Sequence, residues 1–442
     1  MSDIKSDMDR RLKPRHIMML TLGGTIGSGI FKGSSSSIGL AGPGVIIPYL
    51  IGGMILYIVM KSMAELAVSQ PNARTLRDLM EPILGKFTGY SVGWLYWVNW
   101  VLVMAAEMAA AASFMQYWLP NVPLWVLALV MSLIMTIANL FPVQIYGEME
   151  YWLAGVKIAT LVLFVVLGSV LVLGRHPHEA AQNLLGHGGI FPHGVSGLLS
   201  AMLVVMFSFG GVEMIGMTLG ETQDPERTIP RAVRGVILRV ILFYVLPILV
   251  IVSLVPWNTL GFTESPFVQV FRAVGIPYVG SIMNAVLLTA VLSAVNTGMY
   301  AASRILYAQA VHGQAPQFLA RLSRGKVPVR ALLCSTLFLY VGVIVAFFAK
   351  GQTFQDLMVF PGYTVILVWI LLLVSRMKRG GVTFSALVSC VVTVAVLIGV
   401  VCTTPIIATL ITLVGLVAIA ASYWVLPKGL VPISTPLKQQ DA

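Results

Sequence analysis

The sequence predicts an all-α integral membrane protein with twelve transmembrane helices, on three observations. Apolar residues make up 58% of the 442 positions and charged residues only 10%, with a mean hydropathy of +0.90; a soluble domain carries about 25% charged residues. Apolar runs recur at about the 20-residue length that crosses some 30 Å of hydrocarbon. The basic residues gather in alternate loops, as they do when one side of a membrane is cytoplasmic.

The runs lie at about 17–40, 42–66, 87–118, 122–141, 150–173 and 194–219, then 233–256, 278–308, 329–349, 354–375, 383–403 and 405–426. Pro43, Pro120, Pro142, Pro328 and Pro405 mark several of their ends, since proline lacks the N–H that continues a helix. With the N-terminus inside, inner segments collect the basic clusters of 5–15, 61–86, 227–239, 304–330, 376–379 and 428–438. Arg175, Arg272 and Lys350 fall on the other side, and Lys32 and Lys157 fall within runs. The net charge of +11 is thus a record of topology and calls for no nucleic acid. Both termini are expected in the cytoplasm, with residues 1–16 and 427–442 as tails. The first run continues past signal-peptide length without a small-residue cleavage site, so no cleaved leader is expected. Cys334, Cys390 and Cys402 have no zinc-type spacing and read as buried free thiols.

The first run contains Gly23-Gly24-Thr25-Ile26-Gly27-Ser28-Gly29-Ile30-Phe31. Glycine costs a helix interior about 0.5–1 kcal/mol relative to alanine, and unwound backbone in a bilayer is tolerated only where it is buried in protein or lines a watery cavity. The stretch therefore predicts a broken helix whose free N–H groups face an anion; close helix packing through small residues is the other reading. The sixth run has its own break at Phe207-Ser208-Phe209-Gly210-Gly211-Val212-Glu213. The first run starts inside and the sixth outside, so a five-helix unit repeated once must be inverted. Paired broken helices in two inverted halves mark the binding site of a secondary transporter. The halves would span about 17–173 and 194–375 within a core of 17–380, and the two helices in 383–426 would be additions.

These residues resemble the amino acid–polyamine–organocation transporters, and within them the bacterial amino acid permeases. Residues 23–31 are similar to the family's first-helix signature. Phe207 to Glu213 with Gly220-Glu221-Thr222-Gln223-Asp224-Pro225-Glu226-Arg227 resembles its sixth helix and inner loop, and Ser293-Ala294-Val295-Asn296-Thr297-Gly298 its eighth. The resemblance implies a leucine-transporter-like fold of five plus five inverted helices, broken in the first and sixth. It also implies uptake of an amino acid across the cytoplasmic membrane, usually driven by protons with alternating access. Carried over by position, the backbone of Thr25, Gly27, Ser28 and Gly29 would hold the substrate carboxylate. Carbonyls of Phe207, Phe209 and Gly210 would take the α-amino group, with Phe207 as an aromatic lid or as core packing. A lysine in the fifth helix resembles a replacement for the sodium ion that bridges the first and eighth helices of sodium-coupled relatives. Lys157 would then meet carbonyls of the first helix and the hydroxyl of Ser293; the plainer alternative is a lysine snorkelling to inner headgroups.

Ionisable groups in spans are costly and so are candidates in their own right. Glu107, in the middle of the third run, could carry a proton, help a cationic substrate group, or sit protonated between helices. Glu213 could gate or sense protons, or complement a helix N-terminus. Glu221 reads as a structural ion pair, and Trp94, Tyr96, Trp97 and Trp100 read as an interfacial belt. The histidines at 176, 178, 187 and 193 have irregular spacing unlike a metal site. No phosphate loop, nucleophile–base set or metal-ligand helix is present in the sequence, so an enzyme, an ATP-driven pump, a cofactor or a metal is not expected. The function expected is a proton-coupled amino acid permease. An exchanger or a non-transporting membrane amino acid sensor is the alternative, and the side-chain specificity is not legible.

Overall fold

The structure is a computed structural model. It describes Met19 and residues 26–425 apart from 71–72, 74, 142, 175–176, 214–215, 217–224, 261–264, 274–278, 324–325 and 349–352. Among the described residues there are helices and no strands. Among the described residues eight helices are long and apolar enough to cross a membrane, and Leu124–Ala138, Gly194–Phe209 and Val329–Tyr340 are shorter apolar ones. One of the eight, Gly33–Ser69, joins the first two apolar runs through a 3-10 turn at Gly42–Val45, where Pro43 interrupts the helix.

The first span comprises α1 (Ser28–Phe31) and α2 (Gly33–Ala41), separated by Lys32. The second is α3 (Ile46–Ser69). A short amphipathic helix, α4 (Leu76–Leu84), follows; Thr75 and Asp78 close a capping box at its start, each satisfying the other's backbone N–H. Arg77 on α4 is buried, bonded to Glu81 at 2.6 and 2.9 Å and to Gln309 at 3.2 Å. The third, fourth and fifth spans are α5 (Lys86–Met115), α6 (Leu124–Ala138) and α7 (Val143–Gly174). The sixth begins as α8 (Gly194–Phe209). The seventh runs over Val236–Leu254 and widens into a π turn at Ile241–Val245, because Pro247 cannot donate its ordinary helical bond. The rest are α9 (Val279–Val311), α10 (Val329–Phe348), α11 (Thr353–Gly380), α12 (Phe384–Thr403) and α13 (Ile406–Val425).

The long helices α5 and α9 form the most extensive interface. A side chain at Gly298 on α9 would strike Met104 on α5, and one at Gly93 on α5 would strike Gln309 on α9. Small residues there let the two backbones approach. Trp369, Tyr49, Tyr96 and Tyr300 are among the largest fully enclosed side chains. Tyr96, Trp97 and Trp100 are buried at 1%, 8% and 3% exposure, which corrects the expected belt: this face of α5 points into the bundle. The three cysteines are free, but Cys334 and Cys390 are half-buried and Cys402 is exposed, so they lie towards the outside of the bundle rather than in its core.

Close helix crossings give the first test. A methyl group at Gly53 would lie 2.5 Å from Cγ1 of Val240, whereas nothing lies within 4 Å of one at Gly155. Gly53→Ala should lower the thermal melting midpoint of the detergent-solubilised protein, at an overpacking cost of about 1–3 kcal/mol. Gly155→Ala should leave it level or raise it; equal midpoints for the two variants would contradict this packing.

Candidate functional site

In the first span, helix begins at Ser28 after an extended Gly27, and residues 20–25 before it lie outside the described ones. Gly27 has φ −132° and ψ −156° and forms the N-cap of α1. Thr25, Gly23 and Gly24 lie outside the described residues, as does Glu221. The donors of a first helical turn have no partner within their own helix, and here a side chain from α5 supplies one. The N–H of Ser28 donates to both carboxylate oxygens of Glu107, each at 3.0 Å. The Ser28 hydroxyl donates to Oε1 at 2.8 Å. Ser28 and Glu107 are both buried. At the far end of α1 the hydroxyl of Ser265 caps the carbonyl of Phe31 at 2.6 Å, where Lys32 interrupts the helix.

The sixth span breaks where α8 ends. Gly210 takes φ −57° and ψ 146°, and Gly211 takes φ 100°, a conformation open to glycine at little cost. The Gly210 N–H donates back to the carbonyls of Met206 and Phe207 at 3.1 and 3.0 Å. Tyr244 donates its hydroxyl to the carbonyl of Ser208 at 3.0 Å. Glu213 folds over the break: its Oε2 accepts from the Gly211 N–H at 2.9 Å, and its Oε1 accepts from the indole N–H of Trp369.

The two breaks meet. A methyl at Gly29 would lie 2.6 Å from the Cα of Ser208, and one at Gly27 would lie 2.6 Å from Oε1 of Glu107. Beside this junction is a cavity with about 430 Å³ of atom-free volume, open solvent included. Gly27, Gly29 and Glu107 line it together with Phe207, Ser208, Gly210 and Gly211. Asn99, Trp100 and Val103 of α5, Ala294 of α9 and Pro361 and Val365 of α11 complete its wall. Phe209 does not line it; its ring packs 5.8 Å from Tyr49 and 4.8 Å from Tyr244. Chemically the cavity offers helix-start N–H groups, carbonyls from a broken helix, one carboxylate and an otherwise apolar wall.

Lys157 is fully buried on α7, which rules out snorkelling. Its ammonium lies 3.9 Å from Oε1 of Glu150 and within electrostatic range of Glu107. The Ser293 hydroxyl donates to Oε1 of Glu150, and the Asn296 amide donates to Oε2 at 3.3 Å. Asn139 in turn donates to Asn296 at 2.7 Å. Ser293 is therefore turned to a carboxylate that intervenes in the arrangement expected for it. Sequence reasoning missed Glu150, because it stands at the inner margin of an apolar run. The signal was its spacing: residues seven apart share a helix face, so Glu150 and Lys157 point the same way. Asn99, Trp100 and Trp369 were missed as well.

The chain as a whole is similar to known proteins. The family model described as amino acid permease matches residues 16–431. The chain is 47% identical over 441 residues, covering 96% of it and 99% of the relative, to YvbW of Bacillus subtilis, named as an uncharacterized amino acid permease. It is 37% identical over 381 residues to the gamma-aminobutyric acid permease of the same organism, covering 86% and 81% of the two chains. It is 38% identical over 373 residues to the aromatic amino acid transport protein AroP of Escherichia coli K12, covering 84% and 82%.

The junction of the breaks generates the second test. A β-branched side chain at Gly27 or Gly29 must displace Glu107 or the backbone of α8. Gly27→Val and Gly29→Val should insert at normal abundance yet lose radiolabelled amino acid uptake. Wild-type uptake by either variant at equal membrane abundance would remove the site from this junction.

Proposed function

The chain belongs to the amino acid permease family, and on that premise we propose that it imports an amino acid across the cytoplasmic membrane by proton symport with alternating access. It would do so as a twelve-span protein with both termini inside, built on two inverted five-helix units. The family is one of transporters, so the protein is a carrier and not an enzyme. The observation that supports the mechanism best is the buried set of Glu107, Lys157 and Glu150 next to a cavity lined by both helix breaks.

A zwitterion brings one anion and one cation. Its carboxylate would meet the N–H groups around Gly27, Ser28 and Gly29, joined by Thr25, and at Ser28 it would share the N–H that Glu107 accepts from. Its α-amino group would meet carbonyls at Phe207 and Gly210, which line the cavity. A carbonyl has two lone pairs, so the Phe207 carbonyl keeps one while accepting from Gly210. Phe209 contributes through its backbone if at all, since its ring is committed to Tyr49 and Tyr244. The wall of Trp100, Val103, Phe207, Pro361 and Val365 favours a neutral, apolar side chain on the substrate.

In coupling, Lys157 would stand where sodium-driven relatives of the fold hold their ion. A fixed ammonium and a sodium ion repel strongly in a low-dielectric site, so transport would be independent of sodium. Glu107 would exchange a proton with the cavity while Ser28 holds it in place, and Glu213 would tie the sixth-span break to Trp369 on α11 as a gate. An amino acid exchanger would use the same cavity but would stop without a counter-substrate.

Two measurements test this reading. If both ends of the zwitterion are gripped, the N-acetyl and amide derivatives should each lose competition by roughly 5- to 150-fold, because each leaves a buried polar contact worth about 1–3 kcal/mol unpaired. Competition equal to that of the parent by both derivatives would point to a different substrate class. In proteoliposomes, a proton gradient but not a sodium gradient should drive accumulation. Lys157→Ala should abolish it, Lys157→Arg should restore little because a guanidinium does not release its proton, and Glu107→Gln should abolish proton dependence. Accumulation on a sodium gradient alone, or full proton-driven accumulation by Lys157→Ala, would overturn the mechanism.

A further inference from the structure

Glu150 is an acid fully enclosed two turns into α7, and the reading above counts it in the buried set without assigning it a step. Its position relative to Lys157 supplies one. Seven residues of helix separate them, about 10 Å of rise, on one face. Glu150 is nearer the start of α7, the end that the loop charges place inside. Yet the Lys157 ammonium reaches down to within 3.9 Å of Oε1. Lys157 is also under the electrostatic influence of Glu107, whose carboxylate lines the cavity and is held by Ser28. Lys157 thus has two acidic neighbours, one on the cavity wall and one nearer the start of α7.

The surroundings of Glu150 fix its carboxylate in place without closing it onto Lys157. A separation of 3.9 Å is longer than the roughly 2.7–2.9 Å of a charge-assisted hydrogen bond. An ion pair kept only for stability would have closed that gap, since desolvated charges are compensated only when geometry is good. Instead Glu150 takes its two direct bonds from α9, from the Ser293 hydroxyl and the Asn296 amide, and Asn296 is itself anchored by Asn139 after α6. The carboxylate is held by neutral donors from a different helix than the one carrying Lys157. Glu150 and Lys157 share α7, so a rotamer change of the long lysine side chain alters the Lys157–Glu150 distance without breaking the bonds of Glu150 to Ser293 and Asn296.

We propose that Glu150 is the inner relay residue of the proton pathway, alternating with Glu107 as the partner of Lys157. In the step, an N–H bond of the Lys157 ammonium breaks and an O–H bond forms on a Glu150 carboxyl oxygen. An amine and a neutral acid replace the ion pair. The acid then releases the proton to the cytoplasmic side, and Lys157 takes the next one from the protonated carboxyl of Glu107. The groups that face the step are Glu107 from the third span, Lys157 from the fifth, and the uncharged Ser293 and Asn296 from the eighth. This inference rests on the proton-coupled reading and goes beyond it by naming where the proton leaves.

The test uses the full chain in proteoliposomes with a radiolabelled mixture of the common L-amino acids. Two rates are read for each protein: uphill uptake under an imposed proton gradient, and counterflow exchange against the unlabelled mixture, which needs no net proton transfer. Glu150→Gln keeps the shape and can still accept the bond from Asn296, with its NH2 turned to the Ser293 oxygen, but cannot take a proton. It should cut uphill uptake by about 100-fold, the scale of a lost positioned proton-transfer group, while cutting exchange far less, and it should flatten the dependence of uphill uptake on internal pH. Glu150→Asp keeps the carboxyl one methylene short, and should recover part of the uphill rate and the pH dependence; it decides the question if Glu150→Gln does not fold. A wild-type ratio of uphill uptake to exchange in the folded variants, or an equal loss of both rates, overturns the relay and leaves Glu150 as a tie between α7 and α9. A wild-type protein indifferent to the proton gradient would instead overturn the proton-coupled reading itself, and the relay with it.

Discussion

The bond from the Ser28 N–H to Glu107 is the contact on which the rest of the interior depends. A helix that starts inside an apolar run leaves donors that no lipid can satisfy, and an unmet buried donor costs about 1–3 kcal/mol. Glu107 meets that need at 3.0 Å, but in doing so it places a carboxylate in the core. A buried charge demands its own compensation, and the Ser28 hydroxyl and the nearby Lys157 provide it. Lys157 in turn is answered by Glu150, and Glu150 by Ser293 and Asn296. The helix start at Ser28 thus sets off a succession of polar partners that reaches from the cavity to the second turn of α7. None of these groups can be replaced alone by an apolar residue without leaving its neighbour unsatisfied.

The frame that holds this succession differs in kind from the parts that break. The helices α5 and α9 run for thirty residues or more each and interlock where Gly298 meets Met104 and Gly93 meets Gln309. They carry Glu107, Ser293 and Asn296. The breaks belong to α1, four residues long, and to the end of α8, and they touch through Gly29 and Ser208 with no room for a methyl group. A contact that tight transmits displacement rather than absorbing it. Movement of the first-span break must therefore be felt at the sixth-span break, and through Glu213 at Trp369 of α11.

Composition and the lengths of the apolar runs were sufficient to read the all-helical membrane character, because hydrocarbon imposes both. The breaks were also legible, since adjacent glycines in an apolar run have few other uses, and Lys157 stood out because a charge in such a run is rare. Glu150 did not stand out: at the margin of its run it looks like an ordinary interfacial acid, and only the fold reveals that α7 begins seven residues earlier, at Val143. Trp100 and Tyr96 were misplaced for a different reason. A helix apolar all round has no polar face by which to orient it, so the sequence could not say which side of α5 meets lipid. The partners themselves are separated by 79 residues between Ser28 and Glu107 and by 143 between Glu150 and Ser293, and no local pattern links them.

The charge balance of the interior suggests why a proton and a zwitterion would travel together on the proposed reading. Glu107 and Glu150 are two acids for the one ammonium of Lys157, and the helix start at Ser28 offsets only a fraction of the remaining charge, about half an elementary charge at best. A substrate carboxylate arriving at Gly27 and Gly29 would add a further anion within reach of Glu107. Two carboxylates at one site resist being charged together, so a proton bound to the set favours the substrate, and the substrate favours the proton to the same degree, as linkage requires. Leaving restores the original count: once the proton has gone inward, the crowded anions again disfavour the substrate. In this account coupling needs no dedicated ion site, only one carboxylate too many in a low-dielectric interior.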